Sequence, residues 1–476
     1  MSDHDDIRDA LHRVTPELSV PDGLLAGARR RRQRTRGMAA GGAVAAVAVL
    51  VAPFALNLGG NFTLEAGPAS APDSDMAAAH EEAAQPAPVA GATEPGAVPD
   101  DGSSDGPAAE EALPASDLAA AASQSLGWEV IQASDGVNRV VSPSSLSMSL
   151  AQTAEGAEGE SLDSIDAMLG LSGDARSEAF AALRESLLKY DSLPASVDAD
   201  DPPETPVVHQ ASRILAIDAE IKQPYLDRIS RFYDATSEST TLPEAKANLD
   251  AWVEKHTAGL IEESAIEPNS DTVAVLQDAV LFAASWETPF QWDSTIPFQA
   301  PSGTKDVPAM SQALDVSYAE GDRWTAVRLP YSDQLAADVI LPREGVSPTD
   351  LTTEELEEAE EALAATVPDS VQVTMPTFDL AVTSNLREAL PQIDLSNLNG
   401  IYSGASAGAW MQQAKLIVSA RGTVGAAVTE MEVVVSGRVE PSRTFHVDRP
   451  YVFRVLDTDT SWPLFLAAIS DPSEAS

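Results

Sequence analysis

The sequence predicts a mixed α+β domain, because segments with helical periodicity and segments with strand periodicity both occur along it. In Asn248 to Ile261, Leu249, Trp252 and Val253 fall on one side of a predicted helix. Thr272 to Ser285 is a long apolar stretch with few polar breaks, which favours a strand covered on both faces.

A stretch near the C-terminus, from Ala420 to Arg438, alternates with a period of two residues. Small and apolar side chains fall on one face, whereas Glu430 and Glu432 fall on the other. The first face comprises Thr423, Gly425, Ala427, Thr429, Met431 and Val433. The alternation ends at Ser436-Gly437-Arg438, which are polar or flexible residues. The neighbouring sequence offers no obvious partner strand. We interpret the segment as a loop in one state and a strand in another.

The elements that precede this stretch follow from local patterns. Ser116 to Gln132 reads as a first helix, His209 to Ile221 as a strand, and Tyr225 to Phe232 as a short helix. Between the first two lies Asn138 to Leu146, an apolar strand followed by a Ser-Pro stop. Because Ser caps helix N-termini and Pro fits the first helical turn, a second helix is predicted to begin just after Ser142.

Composition excludes several classes of function. The chain has 476 residues, enough for one large or two ordinary domains, and it contains no cysteine. Disulfides, thiolate catalysis and Cys-based zinc sites are therefore excluded. A net charge of −45 argues against nucleic acid as a partner of the main body. The histidines lack metal-ligand spacing and no phosphate-binding loop is present, so we expect no metal and no cofactor.

The N-terminal region is predicted to anchor the chain in a membrane. Arginines cluster from Arg29 to Arg36, and an uncharged span of about 21 residues, Met38 to Leu58, is long enough for one membrane-spanning helix. The positive-inside rule places residues 1–37 in the cytoplasm and the C-terminal domain outside the cell. Residues 59–115 are predicted to form a disordered acidic Ala/Pro-rich linker, and 116–476 the folded domain. The alternative is a cleaved signal peptide and a secreted protein.

Three motifs, in order, resemble those of the serpin family. Gly422-Thr423, followed by small residues, is similar to the start of the serpin reactive loop. Thr444 to Tyr451 and Leu464 to Pro472 are similar to the strands that follow it, with Ala467 where Gly is usual. The resemblance covers Ser116 to Pro472. It implies a serpin of bacterial type, with three β-sheets, about nine helices and an exposed reactive-centre loop.

The resemblance implies a suicide inhibitor of extracellular serine proteases, with cysteine proteases as a second class of target. A protease cuts the exposed loop, and the freed segment enters the central sheet as an extra antiparallel strand. Such a protein is not an enzyme, and we expect it to be a monomer whose partner is the target protease.

The hinge of the loop consists of small, uncharged residues, which favours inhibition. It comprises Gly422, Thr423, Val424, Gly425, Ala426, Ala427, Val428 and Thr429. Its inward positions carry no charged or bulky residue, which favours an inhibitor over the alternative, a non-inhibitory serpin that acts as a binding module. Ala420 departs from the family, because that hinge position is commonly Glu.

The family register places the cut between Ser436 and Gly437. A small residue after three valines suits an elastase-like or subtilisin-like protease with a shallow apolar pocket. Val435 and Arg438 remain alternatives. Arg438 would attract a trypsin-like protease, but it requires a hinge segment two residues longer.

The resemblance also places six residues where the sheet opens: Asn138, Ser142, Ser145, Asp278, Trp286 and Gln412. Asp278 stands where the family usually has Asn, and Gln412 where it usually has His. Because a carboxylate and an amide can hydrogen-bond directly, we expect Asp278 and Gln412 to be in contact.

One pattern suggests a different class of protein. Gly404 to Gly408 fits the G-x-S-x-G motif of serine hydrolases around Ser406, and His446 lies downstream. That motif needs a strand before the serine and a helix after it, whereas the preceding residues here are polar and turn-rich. A serine hydrolase therefore stays a remote alternative.

Overall fold

The computed structural model describes residues 114–198, 201–424 and 441–474, all of which belong to one compact unit. The predicted cytoplasmic tail and nearly all of the predicted linker lie outside these ranges. Within the described ranges, no helix is both long enough and apolar enough to cross a membrane. The span predicted at Met38 to Leu58 lies outside them.

Eight α-helices occur in the described part of the chain, where about nine were expected for the whole fold. They are α1 Ala115–Ala133, α2 Pro143–Ala154, α3 Glu160–Leu169, α4 Gly173–Leu187, α5 Gln223–Tyr233, α6 Leu242–His256, α7 Thr353–Ala365 and α8 Leu386–Ala389. Single 3-10 turns occur at Leu188–Tyr190, Pro194–Ser196 and Pro348–Asp350.

The predicted helix starts have the expected local cause. The Oγ of Ser142 accepts a hydrogen bond from the backbone N–H of Ser145, and Pro143 occupies the first turn of α2. The helix predicted from Asn248 to Ile261 is shifted towards the N-terminus. It ends at His256 because the chain turns into the left-handed region just afterwards, at Ala258 with φ 53°.

Fifteen strands are present among the described residues. They are β1 Arg139–Val141, β2 Val207–Ile217, β3 Thr236–Thr240, β4 Ala274–Ser285, β5 Gln291–Ala300, β6 Gly303–Glu320, β7 Trp324–Pro330, β8 Leu335–Pro342, β9 Asp369–Pro376, β10 Phe378–Asn385, β11 Met411–Val418, β12 Gly422–Thr423, β13 Arg443–His446, β14 Tyr451–Asp457 and β15 Trp462–Ile469. Six of them form one sheet in the order β10-β11-β12-β4-β2-β3.

The other nine strands form a continuous ladder in the order β1-β15-β14-β8-β7-β6-β9-β13, with β5 also paired to β6. β6 is long and shared between two parts of this ladder. Its last residues pair with β7, while its earlier residues pair with β5 and β9. The described strands therefore form two sheets where three were expected, because β6 runs through both parts of the nine-stranded ladder.

Two helices enclose the six-stranded sheet. On one face, α2 packs between β4 of this sheet and β15 of the nine-stranded ladder. On the other face, α6 packs its Ala245 and Leu249 against Leu215 of β2 and Val275 of β4. This arrangement agrees with the apolar stripe predicted around Leu249, and it places the middle of β4 between the two helices.

Candidate functional site

A gap separates β4 from β11 in the six-stranded sheet. The two strands are joined only at one end, which we call the upper end, where Gly422 pairs with Ser285 and Thr423 pairs with both Ala284 and Val418. Below these pairs, no ladder between described residues joins β4 to β11. We call this gap, between residues 274–283 and 411–417, the slot.

The slot is a cavity of about 700 Å³. One face of α2, from Ser145 to Thr153, lines one side of it together with the helix cap Ser142, and Trp252 of α6 lines the other. The edges of β4 and β11 that face the slot carry backbone N–H and C=O groups without a strand partner among the described residues. Two such edges, one on each side of a gap, can accept a single additional strand.

The slot, where no strand of the described residues pairs with the edge of β4, also affects the burial of β4. The sequence predicts a strand covered on both faces, but only Leu281 to Ala284 is buried without interruption. From Ala274 to Val280 buried and half-buried residues alternate. The half-buried side chains line the slot, so this part of the strand lies between α2 and α6 but is less completely buried than Leu281 to Ala284.

The chain enters the slot at its upper end. β12 is antiparallel to both β4 and β11, so the residue after Thr423 points along the slot. That residue, Val424, is 3% exposed and packs with Val207 and Ala283. The hinge residues from Gly425 to Thr429, and Val435 to Arg438 around the predicted reactive bond, lie outside the described residues.

Thr423 is anchored by an aromatic cluster. Its Oγ1 lies 2.5 Å from the hydroxyl of Tyr331, and both groups are buried. Tyr331 stacks on Trp286 with ring centroids 4.5 Å apart, and the indole N–H of Trp286 donates to the Ser419 carbonyl at 2.9 Å. The structure therefore places Trp286 at the upper end of the slot. Tyr331 was missed from the sequence, because it lies in a turn with no periodic pattern around it.

Gly422 is required by its closeness to β4. A Cβ atom on this residue would lie 2.2 Å from the carbonyl oxygen of Ala284 and 2.7 Å from the Cα of Ser285. Both contacts are with backbone atoms, which cannot rotate away. A side chain at position 422 would therefore force β12 away from β4.

The unusual residues before Gly422 also have a structural explanation. Ala420 is 3% exposed, and its carbonyl accepts from the backbone N–H of Phe290 at 2.8 Å. A glutamate there would place a carboxylate in a buried site, which is costly without a partner. The charged residue of this segment is the next one, Arg421. It lies at the protein surface, where its Nη1 donates to Asp201 Oδ1 at 2.8 Å.

Of the six residues predicted at the sheet opening, Asn138 lies elsewhere. Its Nδ2 donates to the carbonyl of Asp471 at 2.7 Å, and its Oδ1 accepts from the backbone N–H groups of Ser470 and Asp471. It does not line the slot. Its contacts hold Ser470 and Asp471, the residues that directly follow β15.

Gln412 of β11 is bound to the start of α2. Its Oε1 accepts from the backbone N–H of Ser142 at 3.1 Å, and its Nε2 donates to the Ser142 carbonyl at 2.9 Å. The Oγ of Ser142 donates to the carbonyl of Leu464 in the other sheet. Ser142 and Gln412 thus tie one side of the slot to α2 and to the core.

Asp278 lies on the opposite side, in β4. Its Oδ2 accepts from the Oγ of Ser212 at 2.5 Å, and the Oγ of Ser145 donates to its backbone carbonyl at 3.4 Å. Its Oδ1 is enclosed and has no hydrogen-bond partner among the described residues. Burial raises the pKa of the Asp278 carboxyl to about 7, against the opposing effect of the Ser212 hydrogen bond.

The expected contact between Asp278 and Gln412 is wrong. Each side chain is bonded to a different partner, and no hydrogen bond joins them. The reason is the slot itself. One strand, β12, pairs with both β4 and β11 at the upper end, so the two strands lie two strand spacings apart there, or about 9–10 Å. A direct hydrogen bond cannot cross that distance.

The G-x-S-x-G pattern has no nucleophile elbow. Ser406 lies in an irregular segment between α8 and β11, with turns before it and no helix directly after it. His446 ends β13 of the nine-stranded ladder, where it pairs with Thr374. The local structure that the hydrolase motif requires is therefore missing.

A family model for serpins, described as serine protease inhibitors, matches residues 119–472. The chain belongs to the serpin family. Among curated relatives, this serpin is 26% identical over 358 residues to an uncharacterized serpin-like protein of Thermococcus kodakarensis, covering 71% of this chain and 81% of the relative. It is 28% identical over 351 residues to serine protease inhibitor 42Dd of Drosophila melanogaster, covering 68% and 89%.

Solved structures show the same fold. The native state of the thermophilic serpin tengpin superimposes with a TM-score of 0.64 at 20% identity, covering 74% of this chain and 93% of tengpin. Thyroxine-binding globulin in complex with thyroxine superimposes with a TM-score of 0.64 at 20% identity, covering 75% and 99%. The serpin fold expected from the sequence is confirmed.

Proposed function

We propose that this serpin is a suicide inhibitor of extracellular serine proteases, with cysteine proteases as a second class, and that it is not an enzyme. The observation that carries this proposal is the direction of the chain at Thr423, which leads into a slot one strand wide. A protease that cuts the segment after the hinge would free it to fill that slot.

The energy available from insertion supports this mechanism. The facing edge of β4 spans ten residues, Ala274 to Ala283, and β11 offers a second edge. A strand between them gains about a dozen backbone hydrogen bonds at roughly 1 kcal/mol net each, on the order of 10 kcal/mol. That is comparable with the whole stability of a domain, and therefore enough to distort a protease that is still covalently attached.

The position of β13 limits how far an uncut loop can enter. Thr374 of β9 pairs with His446 of β13 and with Ser311 of β6, and Ser311 pairs with Gln291 of β5. Gln291 follows the end of β4 by six residues. The strand that follows the reactive loop therefore lies near the upper end of the slot.

Cleavage is needed because the uncut chain is too short to fill the slot and then reach back to the start of β13. Ten residues of β4 correspond to about 33 Å. A strand that begins at Val424 and fills this length ends at Val433, which leaves residues 434–442, before β13, for the way back. Nine residues span at most about 32 Å even when fully extended. An uncut loop can thus insert only in part, and cleavage releases the rest.

The cleaved bond remains a prediction, since it lies outside the described residues. We propose Ser436-Gly437, with Val435 and Arg438 as alternatives, and an elastase-like or subtilisin-like target, with a trypsin-like enzyme as the other choice. Incubation with a panel of these proteases should give a detergent-resistant covalent adduct, and N-terminal sequencing of the released peptide identifies the bond. Complete cleavage without any adduct would contradict inhibition.

The alternative is a non-inhibitory serpin that acts as a binding module. Its support is the likeness of fold to thyroxine-binding globulin, whose structure was solved with a bound small molecule. Heat separates the two proposals. An inhibitor becomes much more heat-resistant after its loop is cut, because the inserted strand stabilises the sheet, whereas a serpin that cannot insert its loop does not.

For the N-terminal region we propose a single-pass anchor that places the serpin domain outside the cell. The support is the arginine cluster from Arg29 to Arg36, followed by the uncharged span from Met38 to Leu58. Membrane fractionation of the full chain, with protease protection to report its orientation, tests this proposal. Recovery of the domain in the medium, with its N-terminus beyond Leu58, would favour the secreted alternative.

A further inference from the structure

Two histidines join the end of α6 to the six-stranded sheet. His209 lies in β2, and His256 is the last residue of α6. Nε2 of His209 lies 2.9 Å from Nδ1 of His256, while Nδ1 of His209 lies 2.7 Å from Oδ1 of Asp191. The ring planes differ by only 8°, and the 5.2 Å between the ring centroids is the nitrogen-to-nitrogen contact plus the two ring radii. The rings therefore meet edge to edge. We call His209 and His256 the histidine pair.

Charged groups approach the histidine pair from three parts of the chain. The acidic neighbour is Asp191, in the loop between α4 and β2, whose side chain is 47% exposed. The positive neighbours are Lys255 of α6 and Arg213 of β2, and both oppose a positive charge on His256. Arg213 is itself paired with Glu238 of β3 at 2.6 Å. The pair thus has one acidic contact, and further positive charge on it meets repulsion.

The pair can accept one extra proton without losing its contact, but not two. Both hydrogen bonds are satisfied when Nδ1 of His209 donates to Asp191 and Nδ1 of His256 donates to Nε2 of His209. One added proton goes to the other nitrogen of His256 and leaves both bonds intact. A second makes both rings cationic, so that two N–H groups face each other and the contact breaks. Burial and the neighbouring His209 lower the pKa of His256 to about 4, which agrees with a second proton that enters only in acid.

The spacing of the pair favours a shared proton over a bound metal ion. Zn–N bonds of about 2.0–2.1 Å in tetrahedral geometry separate two ligand nitrogens by about 3.3 Å. The observed 2.9 Å is instead the length of an ordinary hydrogen bond. In the part of the chain that the structure describes, no group of three or more His, Cys, Asp or Glu side chains is arranged to hold a metal ion.

The histidine pair lies at one wall of the slot. α6 and the chain directly after it line the slot on the face opposite α2. On the β4 side, the Leu249 carbonyl accepts from Nε2 of Gln277 at 3.3 Å. On the β11 side, the backbone N–H of Ala265 donates to Oε1 of Gln413 at 2.8 Å. His256 lies between Leu249 and Ala265 in the chain, so its bond to β2 fixes the middle of this wall.

We propose that the histidine pair is a pH switch, which holds α6 against β2 until both imidazoles are cationic and then releases this wall of the slot. The trigger is the repulsion between two N–H groups that face each other, and the element that responds is α6. This inference goes beyond the proposed function, because it concerns the uncut protein and is tested without a protease.

The first test measures hydrogen exchange of the α6 backbone amides in the uncut full chain from about pH 7.5 to about pH 4.5. Each rate is divided by the intrinsic exchange rate at that pH, which gives a protection factor. The amides of α2, on the other face of the sheet, are the internal reference for global unfolding. We expect the protection of α6 relative to α2 to fall by about tenfold over this range. A ratio that does not change with pH would overturn the proposal.

Two glutamine variants separate a switch from a merely structural contact. In His256→Gln or His209→Gln the amide can still donate to or accept from the remaining histidine, but two cationic rings can no longer face each other. We expect the relative protection of α6 to lose its pH dependence in both variants. His446→Gln, in β13, is the matched control and should keep the pH dependence of the unmodified protein. Equal pH dependence in His256→Gln and in the unmodified protein would refute the switch.

The NMR resonances of the imidazole rings test the shared proton directly, since the chain has only six histidines to assign. Two interacting groups take up their protons in two macroscopic steps. We expect the pair to show two steps that are more than about one pH unit apart, and the histidine that remains in His256→Gln to show one step. Two coincident steps near the ordinary value of about 6.5 would show that the rings do not interact, against the proposal.

These outcomes separate the inference from the proposed function. If α6 opens in acid as expected but cutting the reactive loop fails to raise the Tm, the switch stands and suicide inhibition is refuted. If cutting raises the Tm but α6 shows no pH-dependent opening, inhibition stands and only the switch fails.

Discussion

The substitution Gly422→Ala tests whether β12 starts strand insertion. The added Cβ would lie 2.2 Å from the Ala284 carbonyl oxygen, far inside van der Waals contact, so β12 must move away from β4. Overpacking of this kind costs about 1–3 kcal/mol. The pairs of Gly422 with Ser285 and of Thr423 with Ala284 weaken, and each lost hydrogen bond adds about 1 kcal/mol.

The expected result is slower insertion, and hence more cleavage without inhibition. A cost of about 1.4 kcal/mol is tenfold in a rate, so a loss of 2–3 kcal/mol slows insertion by about 30- to 150-fold. Hydrolysis of the acyl-enzyme then competes with trapping of the protease, because the acyl-enzyme persists for longer before the strand is inserted. The measurement is the number of serpin molecules consumed per protease molecule inhibited, together with the fraction that runs as a covalent adduct in denaturing gels.

Gly408→Ala is the matched control. A Cβ on Gly408 meets no atom within 4 Å, and its backbone conformation does not require glycine. We expect this variant to inhibit like the unmodified protein. If Gly422→Ala also inhibits with unchanged stoichiometry, the upper end of the slot is not where insertion begins, and the reasoning from β12 is refuted.

Three further substitutions test ionisable groups that are buried or half-buried. Burial raises the pKa of Asp278 to about 7, so the native state keeps a proton that the unfolded chain releases near 3.8. The contribution of this carboxyl to stability should fall as pH rises from about 4 to about 7, so in a pH series of melts the Tm of Asp278→Asn should change more favourably with rising pH than that of the unmodified protein. Burial and the neighbouring His209 lower the pKa of His256 to about 4, so the contribution of this imidazole to stability should fall as pH drops from about 6.5 towards 4, and His256→Gln should lose less stability over that range than the unmodified protein. The Nη2 of the buried Arg454 lies 2.6 Å from Asp338 Oδ2, so Asp338→Asn leaves this guanidinium without its charged partner. The free energy of unfolding, measured in urea, should fall by about 3–5 kcal/mol. An unchanged value would contradict the interpretation of the two residues as a buried ion pair.

Local patterns were enough for several of the elements and for the family. The helix predicted from Ser116 to Gln132 is α1, and the strand within Asn138 to Leu146 is β1, followed by α2 at the predicted cap. Periodicity succeeds here because each element buries one face of its own residues. The hinge could be recognised for a similar reason, since small uncharged side chains on alternate residues are a property of the segment alone.

The contacts around the slot could not be predicted in this way. Tyr331 contacts Thr423 across 92 residues of sequence, and Asn138 binds Asp471 across 333 residues. Asp278 and Gln412 are compatible as a hydrogen-bonded pair by chemistry, yet they are held apart. Sequence decided which residues face the core, because that depends on neighbours a few positions away. Only the tertiary structure decided that β4 and β11 stand a strand's width apart, because that spacing depends on how the two sheets pack on α2.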